Sequence, residues 1–256
     1  MPKEKHPYIE KHFDTSRPWK YLIIGTFPPN KEVREGKKSL TDYFYGNKGS
    51  LWKILGKIYS EFEFEKGSRK NLIEQMKAWQ VKYNVGITDT LISVSRKDVK
   101  SADDADLILE LEDYYHKLKE YILANNDKIE SILFTSSAGC NSAFETFKII
   151  MGADVKKVKA KLITNLPSPS GSSNTSWFNV NNEATLGLHP DFFAFIKSEK
   201  KEHLPFFQQR WELKKKKKAE KSKDELPKTP KGLVNDFKVW SYKKVLPKQI
   251  ARNEKN

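Results

Sequence analysis

Four polar segments of this sequence hold residue types able to act on a ligand: "GTFPPN" (25–30), "TDTLISVSR" (88–96), "TSSAGCN" (135–141) and "NLPSPSGSSN" (165–174). Thr and Ser hydroxyls both donate and accept hydrogen bonds. Asp89, in the second segment, is a carboxylate able to take a proton from water as a general base. It is equally able to cap a turn. The fourth segment is the least ordinary. Residues 166–176 hold two prolines, one glycine and five serines. A plain connection needs one or two turn residues, and this run cannot build a core.

Each segment directly follows a short apolar run: "YLIIG" (21–25), "NVGIT" (84–88), "SILFT" (131–135) and "KLITN" (161–165). Their length and β-branched content predict buried strands. Between them lie stretches of helical periodicity. "SLWKILGKIYSEF" follows a possible serine cap, and "RKNLIEQMKAWQ" follows Ser68. "SADDADLILELEDYYHKLKEYILANND" (101–127) reads as the strongest helix, with acidic residues in its first turn. "AGCNSAFETFKIIMG" reads as a helix ending at a glycine. Alternation of strand and helix predicts an α/β fold, three layers with a central four-stranded parallel sheet. In such sheets ligands bind at the carboxyl ends of the strands, where all four polar segments begin. That shared edge is what makes a binding site of ordinary loop chemistry.

The chain has 256 residues and a formal net charge of +14. A polyanionic partner is expected, nucleic acid first and an acidic membrane surface second. A lysine-rich surface that only maintains solubility is the plainer reading. No apolar run approaches a membrane span. "MPKEKHPYIEKHF" lacks the apolar middle of a signal peptide, so a reducing, cytoplasmic location is expected, nucleoid-associated if bacterial. The lone cysteine, Cys140, excludes an internal disulfide and a cysteine-held metal site. The ordered domain is expected over 1–211. Residues 212–256 read as a lysine-rich linker and a basic aromatic tail, with Phe237 to Leu246 forming a hairpin, a strand or a free arm.

"YLIIGTFPPN", "FYGNKGSLWKIL", "VGITDTL", "ILFTSSAGCNSAF" and "LPSPSGSSN", in that order, resemble the uracil-DNA glycosylase superfamily, nearest its mismatch-specific and hypoxanthine-DNA glycosylase branches. The resemblance spans about residues 20–175. It implies a uracil-DNA glycosylase-like fold and hydrolysis of the bond joining a deaminated base, uracil or hypoxanthine, to deoxyribose. The nucleotide would be flipped from DNA into a pocket. The implied enzyme is monomeric and monofunctional, with no metal and no cofactor. Phe44 falls where the family stacks an aromatic on the base, eight residues before Trp52, which itself reads as core. Thr26 and Phe27 would line the same pocket. Thr135 and Ser136 would read the base edge, although Ser136 also suits a helix cap. The loop after 165 resembles the family's DNA-clamping loop, which makes Ser168, Ser170, Gly171, Ser172 and Ser173 phosphate contacts, joined by Lys48.

One departure matters. The family's first motif places an Asp or Asn, which positions water, two residues beyond the glycine; Phe27 stands there. Asn47 and Asp89 are the catalytic candidates, and Asn30 is a third. A non-catalytic DNA-binding protein with the same fold is the alternative. His6 and His12 read as part of a polar N-terminus, His116 as a helix surface residue, and His189 as a turn or packing residue.

Overall fold

The computed structural model describes residues 3–35, 39–46, 50–98, 101, 103–170, 174–220 and 225–249. Contacts divide the chain into two units, Met1–Pro169 with Val245–Asn256, and Ser170–Lys244.

The first unit runs through β1 (Glu4–Lys5), α1 (Ile9–His12), β2 (Tyr21–Gly25), α2 (Lys31–Glu35), α3 (Ser50–Ile58), α4 (Arg69–Tyr83), β3 (Val85–Asp89) and β4 (Ser93–Arg96). It continues through β5 (Leu107–Ile108), α5 (Lys117–Ala124), β6 (Ser131–Phe134), α6 (Ala143–Met151) and β7 (Lys161–Ile163). Four strands form an all-parallel sheet in the order β3-β2-β6-β7. Leu22, Ile23 and Ile24 are fully buried in succession, as a strand covered on both faces requires. This mixed α/β arrangement fits three layers. A second sheet, β1-β4-β5, is antiparallel.

The strand order creates a crevice. From β2 the chain moves to β3 on one side, and from β6 it moves to β7 on the other. The carboxyl ends of β2 and β6 are therefore neighbours whose outgoing segments diverge, the usual place for a ligand in an open parallel sheet.

Local chemistry sets the helix ends. Ser68 Oγ accepts the Asn71 N–H at 3.3 Å to start α4, and Asn84, at φ 53°, ends it in the left-handed region. Ser142 Oγ likewise accepts from Glu145 to start α6. That helix begins five residues later than Ala138, because a turn with Gly139 and Asn141 at positive φ comes first.

The expected long helix over 101–127 does not form; only Lys117–Ala124 is α-helical. Leu109 and Leu111 alternate with Glu110 and Glu112, a period-two pattern that competes with the helical one. Leu107 instead pairs with β4 and packs on Leu91 and Val94. Buried Asp113 accepts from Ser93 Oγ and from the Glu110 N–H.

The second unit holds α7 (Pro190–Glu199), α8 (Leu204–Glu220) and α9 (Leu233–Val245), whose last residue begins the return to the first unit. Its core is aromatic: Trp177, Phe178, Phe192, Phe195, Phe207 and Phe237, with Leu188, Ile196 and Leu233. Gly187 (φ 71°) allows a close approach in the same unit; a Cβ there would meet the Trp211 ring at 2.6 Å. The lysine run is no mobile linker over 212–220. Lysine is a good helix former, and α8 carries the run through Glu220, with Lys214 Nζ donating to the Val180 carbonyl at 3.2 Å. Residues 233–245 are likewise neither hairpin nor free arm but a helix that inserts Phe237 between Trp177 and Phe192. The division expected at residue 212 falls inside α8. Among the described residues, no helix is long and apolar enough to cross a membrane.

Because Phe237 is fully buried, Phe237→Ala should lower the unfolding free energy by about 3–5 kcal/mol, read from the urea midpoint. A free tail would leave that midpoint unchanged.

Candidate active site

The site begins at one register position. β2 and β3 pair so that Gly25 lies across from Asp89. The ladder continues past the strands: Thr90 N–H donates to the Gly25 carbonyl at 3.0 Å and Leu91 N–H to the Thr26 carbonyl at 3.2 Å. On the other side, Thr135 N–H donates to the Ile24 carbonyl at 3.0 Å. These bonds hold Thr26, Asp89 and Thr135 at one edge of the sheet. A methyl group at Gly25 would run into both Asp89 Oδ1 and the Tyr45 hydroxyl. Glycine there is what lets those two side chains converge.

Asp89 is buried, and its Oδ2 lies 2.8 Å from His6 Nε2, with the His6 side chain completely buried. His6 Nδ1 accepts the backbone N–H groups of Tyr8 at 3.0 Å and Ile9 at 3.1 Å. With Nδ1 occupied as an acceptor, the ring proton sits on Nε2 and is donated to Asp89. The carboxylate thereby has a fixed orientation.

A second carboxyl group stands at the crevice. Asp104 Oδ2 accepts from Thr26 Oγ1 at 3.0 Å and from Ser136 Oγ at 3.4 Å, and the two hydroxyl oxygens are 3.3 Å apart. Ser136 Oγ also accepts the Ala143 N–H at 2.9 Å. The network therefore has a preferred direction, from the first peptide N–H of α6 through the hydroxyls to the carboxyl group. Asn141 Nδ2 fixes the backbone behind it, donating to the carbonyls of Asp104 at 3.1 Å and Leu107 at 2.9 Å. The residue as a whole is only part-buried, while its carboxyl end is the crowded part. Burial, with a further contribution from the Asp89 charge, pushes the Asp104 carboxyl up to about 7, against the pull of the Thr26 and Ser136 hydrogen bonds.

The aromatic residues are not placed as expected. Phe44 is 1% exposed and belongs to the core. Its ring is enclosed by His6, Tyr8 and Tyr43 at centroid distances of 5.8, 5.6 and 5.7 Å. Trp52, itself fully buried, donates its indole N–H to the Phe44 carbonyl at 2.7 Å and so anchors the ring inward. The next residue turns the other way: Tyr45 has φ 56°, and its hydroxyl lies 2.9 Å from Thr135 Oγ1. Phe27 packs edge-on against His6 at 5.1 Å, with the Arg96 guanidinium over its ring at 5.7 Å. Arg96 also donates to the Pro28 carbonyl at 2.7 Å, and Arg34 pairs with Glu4, which pins the loop leaving β2.

The structure thus brings together Thr26, Phe27, Asp89, Thr135 and Ser136. Asn47, Lys48, Gly171, Ser172 and Ser173 lie outside the described residues. Ser168 is half-buried at the end of the first unit, and Ser170 is exposed at the start of the second, its carbonyl accepting from Lys238 Nζ at 2.6 Å. Ser136 does help to start α6, though through Ala143. His189 caps α7, its Nδ1 accepting from Asp191 N–H. His116 flanks α5 outside its helical span, because the long helix is absent. Three site residues escaped sequence reading: His6, Asp104 and Tyr45. His6 is paired across 83 positions, beyond any local pattern. Asp104 looked like a helix first turn. Tyr45 was signalled only by its place before Gly46.

Compared with protein-family models, curated proteins and solved structures, the chain matches none.

Two outcomes follow from this geometry. Phe44→Ala should lower stability by about 3–5 kcal/mol, as truncation of a core ring does, read from a denaturant melt. For Asp104, the folded value of about 7 lies above the ordinary 3.8. The folded state therefore holds this proton more tightly, and stability falls as pH rises between those values. Asp104→Asn should remove that fall, so the variant gains melting temperature over wild type through this window and keeps the gain above it.

Proposed function

We propose that the protein is a DNA glycosylase with a uracil-DNA glycosylase-like fold, hydrolysing the N-glycosidic bond of uracil or hypoxanthine flipped out of DNA. The observation that carries this reading is Asp89, oriented by His6 directly across from Gly25, among Thr26, Thr135 and Ser136. The resembling family sets its water-positioning group two residues beyond that glycine. Here Phe27 occupies the position, and the neighbouring strand supplies a carboxylate at the level of that glycine. The ordered motifs and the +14 net charge also support it.

In this reading Asp89 accepts the proton of the attacking water and its negative charge favours the oxocarbenium-like sugar. His6 is a positioning residue that keeps the acceptor oxygens aimed. Thr135 and Tyr45 offer hydroxyls to the base edge, and unstacking the nucleotide costs a few kcal/mol that pocket contacts must offset. The lysines of α8 give sequence-independent attraction to phosphates.

A second reading, DNA binding without catalysis, is favoured by the enclosure of Phe44 in the core. One assay separates them. The protein is incubated with oligonucleotides bearing uracil, hypoxanthine or xanthine, and alkali-labile abasic sites are counted. Asp89→Asn should lower the single-turnover rate by about 10²–10⁴ with unchanged DNA affinity. DNA binding with no abasic sites from any lesion would leave the binding protein as the answer.

A further inference from the structure

The roles above leave Asp104 without a task, although its carboxyl group touches both banks of the crevice. We propose that Asp104 is the acid that protonates the departing base, and that the preferred substrate is therefore the deaminated purine hypoxanthine rather than uracil; this rests on the glycosylase reading. The two carboxyl groups of the site differ in the way that separates acid from base. Asp89 receives a ring N–H from buried His6 and is held as an acceptor. Among the described residues, Asp104 receives hydroxyls, from Thr26 just past β2 and Ser136 just past β6. Paired carboxyl groups in unlike surroundings take opposite protonation states. The charged groups facing Asp104 are Asp103 on its own turn, Asp89 from β3 and the Arg96 guanidinium from β4. Burial and the Asp89 charge outweigh the hydroxyl bonds, so a proton is available there near neutral pH. Asn141 grips the carbonyls on either side of the turn, which fixes where that proton is presented.

The chemistry then selects the base. Uracil departs as an anion that hydrogen-bond donors stabilise without proton transfer. A purine has a basic ring nitrogen, N7, and protonating it turns the departing anion into a neutral molecule. The proton passes from the Asp104 carboxyl to N7. The C1′–N9 electron pair leaves with the base, released as neutral hypoxanthine. The water oxygen bonds to C1′ and gives a proton to Asp89. Transfer of that proton from Asp89 to Asp104 through solvent restores the starting state. The sum is base-sugar plus water giving sugar hydroxyl plus free base.

The test is single-turnover release by the full chain from oligonucleotides bearing hypoxanthine, 7-deazahypoxanthine (a C–H in place of N7) or uracil, across roughly pH 5.5–9. Hypoxanthine release should fall about tenfold per pH unit above about 7. Asp104→Asn should slow it by about 10²–10⁴, abolish that pH limb and leave DNA affinity unchanged. The 7-deaza base should resist the wild type. The proposal is overturned if the folded variant stays within about threefold of wild type, or if uracil or the 7-deaza base leaves as fast as hypoxanthine. Should the variant fail to melt cooperatively, the wild type decides: a flat profile, or ready release of the 7-deaza base, overturns the proposal. Hypoxanthine release untouched by Asp104→Asn in a folded variant defeats only this assignment and leaves the glycosylase reading standing. Silence on every lesion, with DNA still bound, defeats the glycosylase reading and this inference with it.

Discussion

A carboxylate taken out of water must find partners or lose its charge, and the first unit is arranged around meeting that demand for Asp89. The partner comes from the far N-terminal end of the chain. His6 can serve only because Tyr8 and Ile9, at the start of α1, turn their N–H groups onto its other nitrogen. β1, immediately before His6, is in turn fastened to β4, four residues beyond Asp89. One ion-dipole contact thus joins the small antiparallel sheet to the edge of the parallel one. Removing the imidazole would leave the carboxylate buried and unpaired, and would free the segment that encloses Phe44 and Phe27.

The two acidic side chains of the crevice arrive by different routes, and their surroundings follow from this. Asp89 ends a fully buried strand and is met by a ring. Asp104 belongs to the segment between β4 and β5 and meets hydroxyls from just past two strand ends, Thr26 next after β2 and Ser136 two residues after β6. A strand end and a turn thus supply the two carboxyl groups, and the hydroxyls of Thr26 and Ser136 lie against the one from the turn.

Much of the scaffold is legible in local sequence. Runs such as Leu22-Ile23-Ile24 are apolar on both faces, and nothing but a buried strand uses them well. Ser68 announces a helix start by a bond that spans three residues, while Ser142 starts α6 five residues beyond the start expected at Ala138. Failure came where two periods fit the same letters. Leu109-Glu110-Leu111-Glu112 alternates as a strand does, while the acidic residues before it imitate a helix start. The lysine run is ambiguous for another reason: its composition suits solvent and helix alike, and α8 holds it by burying Phe207 and Trp211 upstream. In the candidate site, the closeness of Asp89, Thr26, Thr135 and Ser136 is legible because all four lie at strand ends. His6 was invisible because its role depends on a distant contact, and the exchange of Phe44 for Tyr45 because one residue at positive φ decides which ring faces inward.

The hydroxyl string has a consequence for where protons can travel. It starts at the Ala143 peptide N–H, which has no lone pair to accept a proton, and it ends at the Asp104 carboxyl. Each hydroxyl between carries a single hydrogen already pointed toward Asp104. Charge moving backwards along Thr26 and Ser136 would meet a closed end at the first turn of α6. A proton leaving Asp104 therefore has no outlet through Thr26, Ser136 and the Ala143 peptide, and its exchange must run by another face of the carboxyl group.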